Sequence, residues 1–62
     1  MHLNLRVARL KARVSQEDIA KLLGVNVNTY SSKERGKTEF TLGEVKKLAD
    51  FFGTTIDELF FA

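Results

Sequence analysis

Residues 27–35, VNTYSSKER, hold the side chains best suited to recognition chemistry. Placed on a helix, Tyr30 and Glu34 stand four residues apart on one side, and Val27, Asn28, Ser31, Ser32 and Arg35 are assigned to the other. Tyr30 supplies the large apolar body that belongs in a core. The opposite face is short until Arg35, which is what a helix needs if it is to sink into a groove. An Asn amide can pair with N6 and N7 of adenine, a Ser hydroxyl can donate or accept, and a Val methyl can touch a thymine methyl. Asn, Thr, Val and Ser are mediocre helix formers. A solvated face selected only for helix stability would not use them.

Other chemistry-bearing residues are sparse. His2 is the only histidine and is expected at a frayed terminus. It has no second ligand cluster, so no metal site is expected, and a terminal imidazole is a poor catalytic base. The chain has no Cys, which excludes disulfides and thiolate metal sites and suits a reducing cytoplasm. Asp57 and Glu58 fit the positive end of a helix dipole. There is no glycine-rich phosphate loop. No enzyme activity, cofactor or small-molecule ligand is expected.

The charge is polarised. Residues 1–37 carry eight Lys and Arg against three Asp and Glu, and residues 38–62 carry two against five. Such a domain can turn a basic face to a polyanion and keep an acidic back. Apolar runs are too short to span a membrane. The start, MHLNLRVARLKAR, is too charged for the apolar core of a signal peptide.

The elements that must position the recognition face are all helical. A chain of 62 residues is one domain, 1–62. Leu5, Ala8 and Ala12 recur at helical spacing and predict a first helix over about 3–12. Ser15 opens a second, with Glu17 and Asp18 in its first turn and Ile19, Ala20 and Leu23 as its buried stripe. Gly24 ends it. Asn26 is a good N-cap for a third helix over about 27–35, closed by Gly36. The turn Leu23-Gly24-Val25-Asn26 is too short for antiparallel packing, so the two helices must cross steeply, as in a helix-turn-helix over about 16–35. Thr41 with Glu44 makes a capping box for a fourth helix, with Leu42, Val45, Leu48, Ala49 and Phe52 inward and Gly53 at its end. Thr55 with Glu58 makes another for a short fifth helix carrying Ile56, Leu59 and Phe60. The fold class is all-α.

The run SQEDIAKLLGVNVNTYSSKERGK resembles the Cro and phage-repressor (XRE-type) helix-turn-helix family, whose pattern is roughly S-Q-x-x-L-A-x-x-L-G-V-S-x-x-T-I-S-x-x-E-x-G. Ser15, Gln16, Ala20, Leu23, Gly24, Val25, Thr29, Ser31, Glu34 and Gly36 match it. The later segment LGEVKKLADFFGTTIDEL is similar to the family's closing segment, so the resemblance covers nearly the whole chain. It implies a compact five-helix, lambda-repressor-like DNA-binding domain. Val27, Asn28 and Ser32, with Ser31, would then face base edges. Gln16, Asn26, Arg35 and Lys37, with backbone N–H groups near Thr38, would hold phosphates. Arg9 and Glu34 would form a structural ion pair tying the first helix to the third.

The chain departs from the family in three places. Lys33 replaces an apolar residue, and its stem is expected to cover the core edge with the ammonium free. Val27 replaces a polar residue at the start of the recognition helix. Thr54 replaces a Val.

Phe51, Phe60 and Phe61 cannot all face so small a core. With the family's habit of dimerising, this points to a homodimer contact at Phe61, with Phe60 or Ile56 beside it. The functional expectation is a small Cro-like or repressor-like transcriptional regulator. It would bind a near-palindromic site in double-stranded DNA as a dimer, in the cytoplasm and at the nucleoid. Three alternatives stand beside it: the DNA-binding part of a longer repressor, that of an antitoxin, or a helical protein-interaction module.

Overall fold

Four of the five helices start on a side-chain cap. In the computed structural model, which describes residues 1–61, these are α2 (Gln16–Leu23), α3 (Val27–Glu34), α4 (Leu42–Phe52) and α5 (Ile56–Phe60), preceded by α1 (Leu3–Lys11). No strand occurs among the described residues. Ser15 Oγ accepts from Asp18 N at 3.0 Å, and the Asp18 carboxylate accepts from Ser15 N at 3.2 Å. This reciprocal box exceeds the single bond expected of Ser15, and its hydrogen bonds hold the Asp18 carboxyl below its ordinary pKa. Asn26 Oδ1 accepts from Thr29 N at 2.8 Å. Thr41 and Glu44 form the expected box. Thr55 forms only half of one. Its hydroxyl accepts from Glu58 N, but the Glu58 carboxylate takes the Thr54 hydroxyl at 2.6 Å instead.

The ends of the first three helices share one device. The residue after the final turn adopts positive φ, at Arg13 (56°), Gly24 (74°) and Gly36 (83°). The next N–H then reaches back to a carbonyl of the last turn: Val14 to Arg9, Val25 to Ala20 and Lys37 to Ser32. These bonds satisfy carbonyls that the helix leaves open. The reversal at Gly24 turns the chain from α2 into α3, and the two helices pack on each other. A Cβ on Gly36 would also sit 3.1 Å from the Met1 nitrogen.

The core collects Leu5 from α1, Ile19, Ala20 and Leu23 from α2, Tyr30 from α3, Leu48 and Ala49 from α4, and Leu59 from α5. α3 packs on α2, while α5 joins α1 to α4. Three expectations need correction. Leu42 opens α4 and is 67% exposed, because that helix enters the core only at Leu48 and Ala49, with Val45 half-buried before them. Ala12 lies past the end of α1, where the chain turns away, and is exposed. His2 is not frayed. Its ring packs on Phe40 and Phe60 at 5.3 and 5.4 Å, and its backbone N–H donates to the Glu34 carbonyl at 3.0 Å. Phe40, in the α3–α4 connection, also contacts Tyr30, a role its loop position does not announce.

Arg13 and Gly24 hold similar backbone conformations but carry different strain, so substitutions there should move stability in opposite directions. Gly24→Ala places its Cβ in open space and should cost about 1–2 kcal/mol through the backbone alone. Arg13→Gly should stabilise by roughly 0.5–1 kcal/mol after the entropy of the unfolded chain is counted. Thermal melts of the two variants should shift oppositely; a lower midpoint for Arg13→Gly would refute the strain at Arg13.

Candidate nucleic-acid interface

The interface is organised around a buried carboxylate. Glu34, in the last turn of α3, is 3% exposed. Its Oε2 accepts from Arg9 Nε at 2.8 Å and from the Tyr30 hydroxyl at 2.6 Å. Its Oε1 accepts from Arg9 Nη2 at 3.2 Å and from Gln16 Nε2 at 3.1 Å. Arg9 Nη1 donates to the Val14 carbonyl at 3.1 Å. The pair is therefore bidentate and joins α1, α2 and α3. Burial pushes the Glu34 carboxyl up, but the bonds from Arg9, Tyr30 and Gln16 outweigh it and leave the group below its ordinary pKa. The hydrogen bond to Glu34 raises Arg9 further. Burial, followed by the Glu34 bond, raises the Tyr30 phenol.

This node presents the outer side of α3. Asn28 is exposed and Ser31 and Ser32 are half-buried. Val27 sits differently from its sequence assignment. It precedes Tyr30 by three residues and Glu34 by seven, so it leans to their side of the helix. It is half-buried and packs against the core, leaving only part of the side chain facing out. Arg35 is exposed, with its Nε donating to the Ser31 carbonyl at 3.3 Å. Lys37 and Thr38 are exposed in the following loop. Gln16 and Asn26 lie at the starts of α2 and α3, and both are partly engaged within the protein. Gln16 gives one amide hydrogen to Glu34, and Asn26 spends its carbonyl on the cap. Each retains an amide hydrogen for an outside acceptor.

Lys33 differs from expectation. Its ammonium is not free but pairs with both oxygens of Glu44 at 2.6 and 2.8 Å. Glu44 Oε1 also accepts from Thr41 N, so one carboxylate caps α4 and ties it to α3. Burial opposes ionisation of Glu44, but the Lys33 and Thr41 bonds outweigh it and lower its pKa.

Of the residues expected at a dimer contact, Phe61 is 77% exposed and Ile56 is half-buried. Phe60 is largely committed inside the monomer, stacked edge-on against His2 and Phe40. Sequence reasoning assigned Tyr30 to the core as an apolar body and missed its hydroxyl; the Tyr–Glu spacing of four was the available signal. No signal in the sequence marks the Lys33–Glu44 pair.

The helix-turn-helix family pattern matches residues 5–59. The chain belongs to the XRE-type helix-turn-helix family. Over 55 residues it is 40% identical to the cryptic phage CTXphi transcriptional repressor RstR of Vibrio cholerae, covering 89% of this chain and 50% of that protein. Over 56 residues it is 39% identical to an HTH-type transcriptional regulator of Methanocaldococcus jannaschii, covering 90% of this chain and 85% of that one. The chain thus spans about half the length of the Vibrio repressor. The match spans α2 and α3, the helix-turn-helix of a DNA-binding family. No helix among the described residues is long and apolar enough to cross a membrane, and those residues contain no cluster of His, Cys, Asp and Glu suited to a metal.

The pH dependence of stability should follow from Glu34. Its pKa is lower folded than unfolded, so its contribution is present above the ordinary carboxylate range, near 4.3, and is lost as pH falls through the folded value. Glu34→Gln should lower stability at pH 7 by about 3–5 kcal/mol, because it leaves Arg9 buried without its countercharge. The gap to the parent should shrink below about pH 4. Urea unfolding in an osmolyte that keeps the variant folded tests this, and a gap that stays constant with pH would contradict it.

Proposed function

We propose that this protein is a sequence-specific regulator of transcription that inserts α3 into the major groove of double-stranded DNA. The observation that carries the reading is the slim outer face of α3. Asn28 stands exposed beside Ser32, and Lys33, the one long side chain of α3 besides buried Tyr30 and Glu34, is held against Glu44. Asn28 and Ser32 read base edges. Ser31 and the outward part of Val27 contribute at the margin. Gln16, Asn26, Arg35, Lys37 and the backbone near Thr38 hold phosphates on either side, which sets register without specifying sequence. The two relatives, a repressor and a transcriptional regulator, support regulation of transcription as the purpose of binding.

Binding is by a homodimer on a near-palindromic site. Exposed Phe61, with the outward part of Ile56, supplies the contact, and the two recognition helices stand about 34 Å apart, one turn of DNA. A second reading is supported by the length of the Vibrio relative: this domain serves as the DNA-binding half of a longer repressor.

Selection of bound duplexes from a random pool tests the reading. The expected result is a near-palindromic site. Asn28→Ala and Ser32→Ala should each relax preference at matching positions of both halves, with each good base contact worth roughly 1–3 kcal/mol. Lys37→Gln should weaken all sequences alike and flatten the dependence of log affinity on log salt by about 0.9. A pool that enriches nothing, or a preference indifferent to both α3 substitutions, would overturn it.

A further inference from the structure

A narrow cleft of about 190 Å³ opens between the first turn of α1, the start of α2 and the end of α3, lined by Met1, Arg6, Arg9, Gln16, Glu34 and Arg35. Its charged side chains are three guanidiniums and one carboxylate. Arg9 and Glu34 are buried and satisfy each other. Arg6 and Arg35 are exposed, and neither has an acidic partner among the described residues. Arg6 Nη1 approaches only the Met1 sulfur, at 3.8 Å. Arg35 uses its Nε on the Ser31 carbonyl and keeps its terminal nitrogens. Gln16 keeps one amide hydrogen after its bond to Glu34. Two cations from different helices and an amide donor thus share one cleft, and the protein provides no anion to answer them. Guanidinium forks match phosphate oxygens in both charge and geometry.

We propose that Arg6 is a phosphate-binding residue and that this cleft seats one phosphodiester of the DNA backbone, held by Arg6 from α1 and Arg35 from the end of α3 with Gln16 between them. The proposal rests on the DNA-binding reading and extends it to α1, which that reading uses only for support. The neutral Arg9–Glu34 pair forms the floor. It positions Gln16 and keeps the cleft's excess charge at the rim, where a backbone phosphate passes.

The test measures Kd of the full chain for its selected duplex over a series of salt concentrations. Arg6→Gln should bind about tenfold more weakly at low salt, the loss of one charged hydrogen-bonded contact. Its slope of log affinity against log salt should be smaller by about 0.9, with base preference unchanged. Arg6→Lys should retain the slope. Lys11→Gln, on the same helix but lining the groove toward α5, should leave the slope as in the parent. A scan of single neutral methylphosphonates along the duplex should find one phosphate whose replacement erases the difference between parent and Arg6→Gln. The thermal midpoint of Arg6→Gln should match the parent, because the side chain is exposed.

An unchanged slope for Arg6→Gln, an equal loss in Lys11→Gln, or a difference that no single phosphate removes would each overturn the proposal while leaving the DNA-binding reading in place. A parent chain that selects no duplex would overturn both.

Discussion

A carboxylate at 3% exposure can remain ionised only if its oxygens are satisfied by donors that include a countercharge. Glu34 meets this condition with Arg9 from α1, Gln16 from the start of α2 and Tyr30 from its own helix. Apolar contacts would tolerate many relative rotations of three short helices, because hydrophobic attraction has no direction. A bidentate fork and a phenol hydrogen bond do not. Closing this node therefore aligns α1 with α3, and Arg9 carries the alignment into the α1–α2 connection through the Val14 carbonyl. α3 is held at its C-terminal end by charge and along its inner side by Tyr30.

The rest of the molecule stays ordered on modest means. Its helices run from five to eleven residues, a length that is marginal in isolation. Four starts are capped, by Ser15, Asn26, Thr41 and Thr55, and the ends of α1 to α4 are closed by the backward N–H bonds at Val14, Val25, Lys37 and Thr54. The aromatic group of His2, Phe40, Phe60 and Tyr30 draws the N-terminal turn, α3, the α3–α4 connection and α5 together. Phe60 belongs to this group, so the apolar surface left for a second chain is narrower than the count of phenylalanines implies.

Partnership inside the fold also decides which charges remain available outside it. Lys33 and Glu44 cancel, and so do Arg9 and Glu34. What is left near α3 is a rim of Arg6, Arg35 and Lys37 around short polar side chains. This division allows the same eight-residue helix to be held rigidly on one face and remain open on the other. Rigid presentation suits the proposed base-edge contacts, because such hydrogen bonds tolerate little misplacement.

Helix starts, helix ends and the crossing of α2 on α3 are legible in the sequence, because caps and turns depend on residues within about four positions of one another. Ser15, Gly24, Asn26 and Thr41 carry that information locally. The family pattern adds Arg9 with Glu34, a pairing that spacing alone does not reveal. Other features depend on closure of the whole chain. Gln16 reaches Glu34 across 18 positions and Lys33 reaches Glu44 across 11, while His2 finds Phe40 and Phe60 from three separate segments. Val27 leans inward because Tyr30 and Glu34 define the buried side. The sequence by itself determined five helices, four of them with their capping residues, and a short polar outer face on α3 at Asn28, Ser31 and Ser32. Only the tertiary structure decided which polar groups were consumed in holding those helices together, since a long side chain's partner is chosen by the packing of elements distant in sequence and not by its neighbours.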